Sequence, residues 1–141
     1  HVLFYCEDIP QVLAECRRVL KNGGRFLCST YGKQHMREIT DLVQQFHKEI
    51  VLSAEVLYER FGLENGENLL APYFPEIQMR RYEDAIEIAE AEPLISYILS
   101  CHGNQNQLLL NQYKEFREFV SARVADGFHI TKDAGIFLCR K

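Results

Sequence analysis

The sequence has no apolar run of the ~20 residues that a membrane-spanning helix needs. Its cysteines number five and include no Cys-x-x-Cys pair. An odd set without ligand spacing predicts reduced thiols in a cytoplasmic protein and no metal site. Basic residues pair up at Arg17–Arg18 and Arg80–Arg81, and the net charge is −4. These absences argue against a membrane protein, a metal centre and a nucleic-acid-binding surface.

The composition is that of an ordinary folded protein. Hydrophobic residues make up 47% of the 141 residues and charged residues 26%, which argues against disorder. This length is sufficient for one domain with a hydrophobic core. Neither an internal repeat nor a low-complexity segment is present.

The stretch RRVLKNGGRFLCST contains a helix end, a glycine stop and a strand. Asp8 suits the N-cap of the preceding helix, and Pro10 suits its first turn. Gly23 and Gly24 favour termination of that helix. The run from Arg25 to Thr30 then predicts a short strand buried on both faces.

The rest of the chain predicts further helices around two more extended regions. We expect helices over residues 34–50, 92–101 and 108–125, a strand over 77–82, and a terminal strand or hairpin over 127–141. The expected organisation is one partial domain, 1–141. Its parts are a helix–strand–helix segment over 1–50, a short helix and strand over 51–83, a helical insertion over 84–126 and the terminal segment 127–141.

Helices that alternate with strands indicate an α/β sheet with covered faces. A parallel sheet needs strands on both sides of each crossover helix. The chain begins close to such a helix, so the pattern predicts the later part of a larger sheet.

The first thirty residues, HVLFYCEDIPQVLAECRRVLKNGGRFLCST, resemble the later part of a class I S-adenosylmethionine-dependent methyltransferase. That family has a loop of the type H-x-L-[YF]-H-x-x-D, followed by a helix that ends in R-x-L-K-P-G-G. The matching residues are His1, Leu3, Phe4, Asp8, Arg18, Leu20, Lys21, Gly23 and Gly24. Tyr5 and Asn22 depart from the pattern. The runs FGLENGENLLAPYF and MRRYEDAIEI resemble a bacterial small-molecule subgroup with a helical insertion, and GIFLCRK resembles the closing strand.

This resemblance implies the C-terminal half of a Rossmann-like methyltransferase sheet. Its strands five, seven and six would lie side by side in that order, with flanking helices and a helical lid. The glycine-rich GxGxG loop that wraps the cofactor in this family is absent from the sequence. The resemblance therefore implies a C-terminal portion that is inactive alone.

The implied cofactor is S-adenosylmethionine and the implied substrate is a small-molecule methyl acceptor. By resemblance, the cofactor-binding candidates are His1, Val2, Phe4 and Tyr5. The candidates for substrate binding are Tyr31, His35 and Tyr73, and His35 is also the candidate catalytic base. Each has a structural alternative: a loose chain end for His1, packing for Phe4, Tyr5 and Tyr73, and a solvated loop for Tyr31 and His35.

The alternative function is a non-catalytic interaction or dimerisation module of methyltransferase ancestry. In either case the strand from Arg25 to Thr30 would have an open edge, and open edges pair with other strands. We therefore expect self-association through this edge.

Overall fold

A computed structural model describes all of residues 1–141. The helices are α1 (Ile9–Val19), α2 (Arg37–Phe46), α3 (Leu57–Arg60), α4 (Gly66–Leu70), α5 (Ala91–Ser100), α6 (Gln105–Leu109) and α7 (Tyr113–Val124). The strands are β1 (Arg25–Tyr31), β2 (Glu76–Ile88) and β3 (Phe128–Arg140), and a short 3-10 turn spans Leu3–Tyr5. No helix is long and apolar enough to cross a membrane.

The three strands form one sheet in the order β1–β3–β2. Strand β3 is antiparallel to β1, and its register places Arg25 opposite Arg140 and Tyr31 opposite Ala134. The last strand thus lies between the two earlier ones, in the order that the resemblance implies. The assignment of these strands as five, seven and six stays a prediction.

Helix α1 begins as its sequence predicts. The carboxylate of Asp8 accepts a hydrogen bond from the backbone nitrogen of Gln11 at 2.9 Å. The helix buries Ile9 and Leu13. After it, Gly23 adopts a positive φ of 74°, a conformation that glycine tolerates without steric cost.

Strand β1 is buried on one face rather than on two. Cys28 and Thr30 are buried, whereas Leu27, which directly precedes Cys28, is 53% exposed. Successive side chains of a strand point to opposite faces, and the structure covers only the face of Cys28 and Thr30. The prediction that both faces are buried was wrong because a continuous apolar run does not distinguish these two cases.

The helix expected over residues 34–50 is shorter. Residues 33–36 form turns, and α2 begins only at Arg37. Met36 precedes it with a φ of 56°, which is uncommon for a residue with a side chain. Helical periodicity predicts that Met36, Ile39, Leu42, Val43 and Phe46 face inward. Ile39, Leu42 and Val43 are buried, and Met36 and Phe46 pack against the same core.

The expected helix over residues 108–125 is divided between α6 and α7. Leu109 and Phe116 are both buried, and their seven-residue spacing fits one unbroken helix as well as two. A single helix would place Tyr113 on one buried stripe with Leu109 and Phe116, but Tyr113 is 43% exposed at the start of α7.

Two strands are longer than the side-chain patterns indicate. Strand β2 continues through the acidic residues 83–88, whose side chains are almost all exposed. Residues 128–140 form the single strand β3 without a hairpin turn around residues 132–135. In both places backbone hydrogen bonding to the neighbouring strand sets the length of the strand. The side-chain pattern does not show this, because the paired residues include exposed polar ones.

The chain forms two compact units, and β2 and β3 contribute residues to both. The first unit comprises residues 1–35, 56–83 and 133–141. Its core is built from Leu3, Phe4, Ile9, Leu13, Cys28, Phe61, Leu63, Leu70, Phe74, Phe137 and Cys139.

The second unit comprises residues 36–55 and 84–132. Its core is built from Ile39, Leu42, Val43, Ile50, Leu94, Ile95, Ile98, Leu109, Phe116, Val120, Val124 and Ile130. Within this unit the carboxylate of Glu38 accepts hydrogen bonds from the backbone nitrogen of Thr131, at 3.0 Å, and from its hydroxyl.

Candidate functional site

Aromatic side chains gather at the carboxyl end of β1. Tyr31, the last residue of the strand, has its ring centroid 5.3 Å from that of Phe4, 6.1 Å from His1 and 5.1 Å from His35. Tyr5 contacts Phe4 edge-on at 4.7 Å. We call His1, Phe4, Tyr5, Tyr31 and His35 the aromatic cluster. The carboxyl ends of strands are where ligands bind in open α/β sheets.

The segment before α1 is held against β1 by both backbone and side-chain contacts. The backbone nitrogen of His1 donates a hydrogen bond to the Ser29 hydroxyl at 2.9 Å. A 3-10 turn over Leu3–Tyr5 then places Phe4 in the core, where it is only 2% exposed. The same turn leaves Tyr5 65% exposed. The cluster therefore has a buried base and an accessible rim.

The loop that follows β1 rests on a buried carboxylate. Asp133 is 7% exposed and accepts a hydrogen bond from the backbone nitrogen of Gln34 at 3.2 Å. Its other oxygen accepts a hydrogen bond from the guanidinium of Arg81. The Asp133 carbonyl also accepts from the backbone nitrogen of Gly32 at 2.9 Å. Because charge-assisted hydrogen bonds are the stronger kind, these contacts hold the loop closely.

Glu64 supports the same loop from a second side. Its carboxylate accepts a hydrogen bond from the backbone nitrogen of Lys33 at 3.3 Å and pairs with Arg81 at 3.7 Å. We call Glu64, Arg81 and Asp133 the loop clamp. The clamp fixes the backbone of residues 32–34, which lie between the two substrate-binding candidates Tyr31 and His35.

Position 32 requires glycine because the Asp133 and Glu64 carboxylates lie directly against its backbone. A Cβ atom at this position would lie 2.3 Å from Asp133 Oδ2 and 2.7 Å from Glu64 Oε1. Real Cβ atoms do not approach oxygen atoms so closely. A side chain here would therefore displace the loop or the carboxylates.

Most of the site residues predicted from the sequence come together. His1, Phe4, Tyr5, Tyr31 and His35 form the aromatic cluster. Val2 adjoins them in the chain and is 68% exposed. Their binding roles stay predictions.

Tyr73 lies apart from this cluster. Its carbonyl accepts a hydrogen bond from Arg17 of α1, and its side chain packs against the apolar core of the first unit. This position fits the packing alternative, and its ring does not stack on any ring of the cluster.

The sequence analysis did not single out the loop clamp. Arg81 appeared there only in a basic pair and within the strand expected over 77–82, and Asp133 only within the terminal strand or hairpin expected over 127–141. One signal was available, namely a lone acidic residue within the terminal apolar strand, because a buried carboxylate needs a partner.

Residues 1–28 match the model of a family described as methyltransferase domain. The matched segment runs from His1 through α1 into the first half of β1, and it contains three members of the aromatic cluster. The match confirms the class I S-adenosylmethionine-dependent methyltransferase resemblance for this segment of the chain. No curated protein matches the sequence.

Proposed function

We propose that the chain is the C-terminal portion of an S-adenosylmethionine-dependent methyltransferase that acts on a small molecule. The observation that carries this proposal is the position of the aromatic cluster. His1, Phe4 and Tyr5 lie in the segment that matches the family, and the fold brings them to Tyr31 and His35 at the carboxyl end of β1. This is the end of the strand at which α/β sheets bind their ligands.

The residues present fit one side of a cofactor with an aromatic base. Tyr5 and Val2 expose apolar surface of the kind that packs against an adenine ring. S-adenosylmethionine, when bound, supplies an activated methyl group. The sequence contains no GxGxG loop, so these side chains would form only part of the cofactor site. We infer that the chain alone binds the cofactor weakly and does not turn over.

Tyr31 and His35 are the residues that we assign to the methyl acceptor. Their rings stack at 5.1 Å, and the loop clamp fixes the backbone between them. Methyl transfer needs chiefly that the nucleophile be aligned, together with a base where the acceptor carries a proton. Tyr31 would orient the acceptor, and His35 would accept that proton.

A titration followed by amide NMR spectra tests this assignment in the chain itself. With S-adenosylhomocysteine we expect weak, millimolar binding and shifts confined to residues 1–5 and 31–35. The Tyr31→Ala variant should lose these shifts. The control is Tyr82→Ala, which removes a ring of the same size at a 65% exposed position of β2.

Two results would contradict the assignment. One is the absence of any shift at the aromatic cluster under saturating conditions. The other is tight, micromolar binding, which would require a complete cofactor site in residues that we assign to the core.

A specific observation also favours the alternative of an interaction module. Strand β1 is an edge strand of the sheet, and Leu27 in it is 53% exposed. Edge strands with apolar side chains invite pairing with a second chain. Self-association of the chain through this edge is therefore part of the proposal, and it is compatible with either function.

A further inference from the structure

A groove of about 570 Å³ lies at the opposite end of β1 from the aromatic cluster. Its walls come from the first residue of β1, the start of β2 and the end of β3. Arg25 in the groove and Tyr31 in the cluster are separated by the length of the strand, roughly 20 Å. The groove is therefore distinct from the proposed methyltransferase site.

Three arginines line this groove, namely Arg25, Arg80 and Arg140. Glu76 is the acidic residue among its lining residues, and it pairs with Arg140 at 3.5 Å. The groove thus concentrates positive charge in a chain whose net charge is −4. We call this cavity, which is lined by Arg25, Arg80 and Arg140, the arginine groove.

Two of these arginines oppose each other directly. Arg25 of β1 and Arg140 of β3 are partners in the antiparallel register, so their side chains leave the sheet on the same face. Like charges in this arrangement destabilise a sheet. One carboxylate compensates only part of the repulsion, and a bound anion would compensate the remainder.

The lining of the groove can contact an organic part of a ligand as well as a charged group. Leu138 lines it on the same face of the sheet as Arg25 and Arg140, and Gln78 adds an amide that both donates and accepts hydrogen bonds. Guanidinium groups present planar pairs of donors that match the oxygen atoms of a phosphate. The volume is in the range of small-molecule sites.

We propose that the arginine groove binds a small molecule that carries a phosphate or diphosphate group. The charged group lies against Arg25, Arg80 and Arg140, and the remainder of the ligand lies against Leu138. Binding relieves the repulsion between Arg25 and Arg140. This site is independent of the proposed methyltransferase activity.

Calorimetric titration of inorganic pyrophosphate into the chain tests the proposal. We expect millimolar or tighter binding at low salt, and loss of about tenfold in affinity for Arg80→Gln and for Arg140→Gln. Glu76→Gln should instead strengthen binding by about two- to fivefold, because it removes the competing carboxylate. The matched control is Arg117→Gln, which removes an exposed, ion-paired arginine of α7 and should leave the affinity unchanged.

All four side chains are exposed, so the variants should keep the fold, and circular dichroism checks this. The proposal fails if pyrophosphate does not bind, or if Arg80→Gln and Arg140→Gln bind it as tightly as the unmodified chain. Tighter binding of citrate than of pyrophosphate would overturn the phosphate assignment. Binding of a polyglutamate peptide that pyrophosphate does not displace would overturn the small-molecule assignment in favour of an acidic protein partner.

Discussion

The Asp133 carboxylate and the backbone nitrogen of Gln34 are joined by a 3.2 Å hydrogen bond across 99 positions of sequence. This contact fastens the loop after β1 to the middle of β3. Because the same carboxylate accepts from Arg81, the loop is tied to β2 as well. The positions of Tyr31 and His35 thus depend on a buried charge that belongs to neither residue.

Gly32→Ala should destabilise the first unit by about 1–3 kcal/mol, because the new methyl group overlaps the Asp133 carboxylate. Asp133→Ala should also destabilise it, since it leaves Arg81 and the Gln34 amide without their partner. The double variant should cost less than the sum of the two, because removal of the carboxylate relieves the overlap. Urea unfolding of the four proteins measures this coupling. If the losses in unfolding free energy of the two single variants simply add in the double variant, overlap with the Asp133 carboxylate is not the reason that Gly32→Ala is destabilising.

Glu38 makes the second unit sensitive to acid. Burial on its own raises the pKa of this carboxyl, but the hydrogen bonds from Thr131 and the nearby His129 lower the pKa below its ordinary value overall. A depressed pKa in the folded state adds stability above the ordinary pKa near ~4.3, and this stability is lost as pH falls through the folded value. Glu38→Gln should therefore cost about 1 kcal/mol at neutral pH and much less in acid.

Urea unfolding at neutral pH and at about pH 3 measures this difference for both proteins. Glu118→Gln on the exposed face of α7 is the matched control and should show no such convergence. If the cost of Glu38→Gln is the same at both pH values, the ionised Glu38–Thr131 contact is not the source of the sensitivity.

The open edge of β1 should make the chain self-associate. Leu27→Lys places a charge on this strand, and charged edge residues prevent pairing between strands. Sedimentation velocity should therefore show dimers or larger species for the unmodified chain and a shift towards monomer for the variant. Val19→Lys, at an equally exposed apolar position of α1, should leave the association unchanged. A monodisperse monomer of the unmodified chain would contradict the prediction.

His35→Asn should lower turnover by about 100-fold in the catalytically active protein if His35 accepts a proton from the methyl acceptor. The effect should appear in kcat, and the acidic limb of the pH–rate profile should disappear, because imidazole titrates near neutral pH. His102→Asn removes an exposed histidine of the second unit and serves as the control. Unchanged turnover with an unchanged pH profile would exclude His35 as the base.

The sequence was most informative where structure is decided locally. Asp8 and Pro10 predicted the start of α1 because capping depends on neighbouring residues. The helix ends at Val19, before the turn in which Gly23 adopts its positive φ. The buried face of α2 followed from helical periodicity. The order of the sheet and most of the aromatic cluster came from the resemblance, which carries three-dimensional information that periodicity lacks.

By itself the sequence determined the start of α1, the position of β1, the buried face of α2 and the methyltransferase resemblance of its first segment. The tertiary structure decided that Leu27 is exposed, that β3 is one strand, and that Asp133 holds the loop before α2. It also brought Arg25 and Arg140 opposite each other, at positions 115 residues apart in the chain. Capping and periodicity act between neighbours, whereas strand pairing and buried charge depend on residues that meet only when the chain has folded.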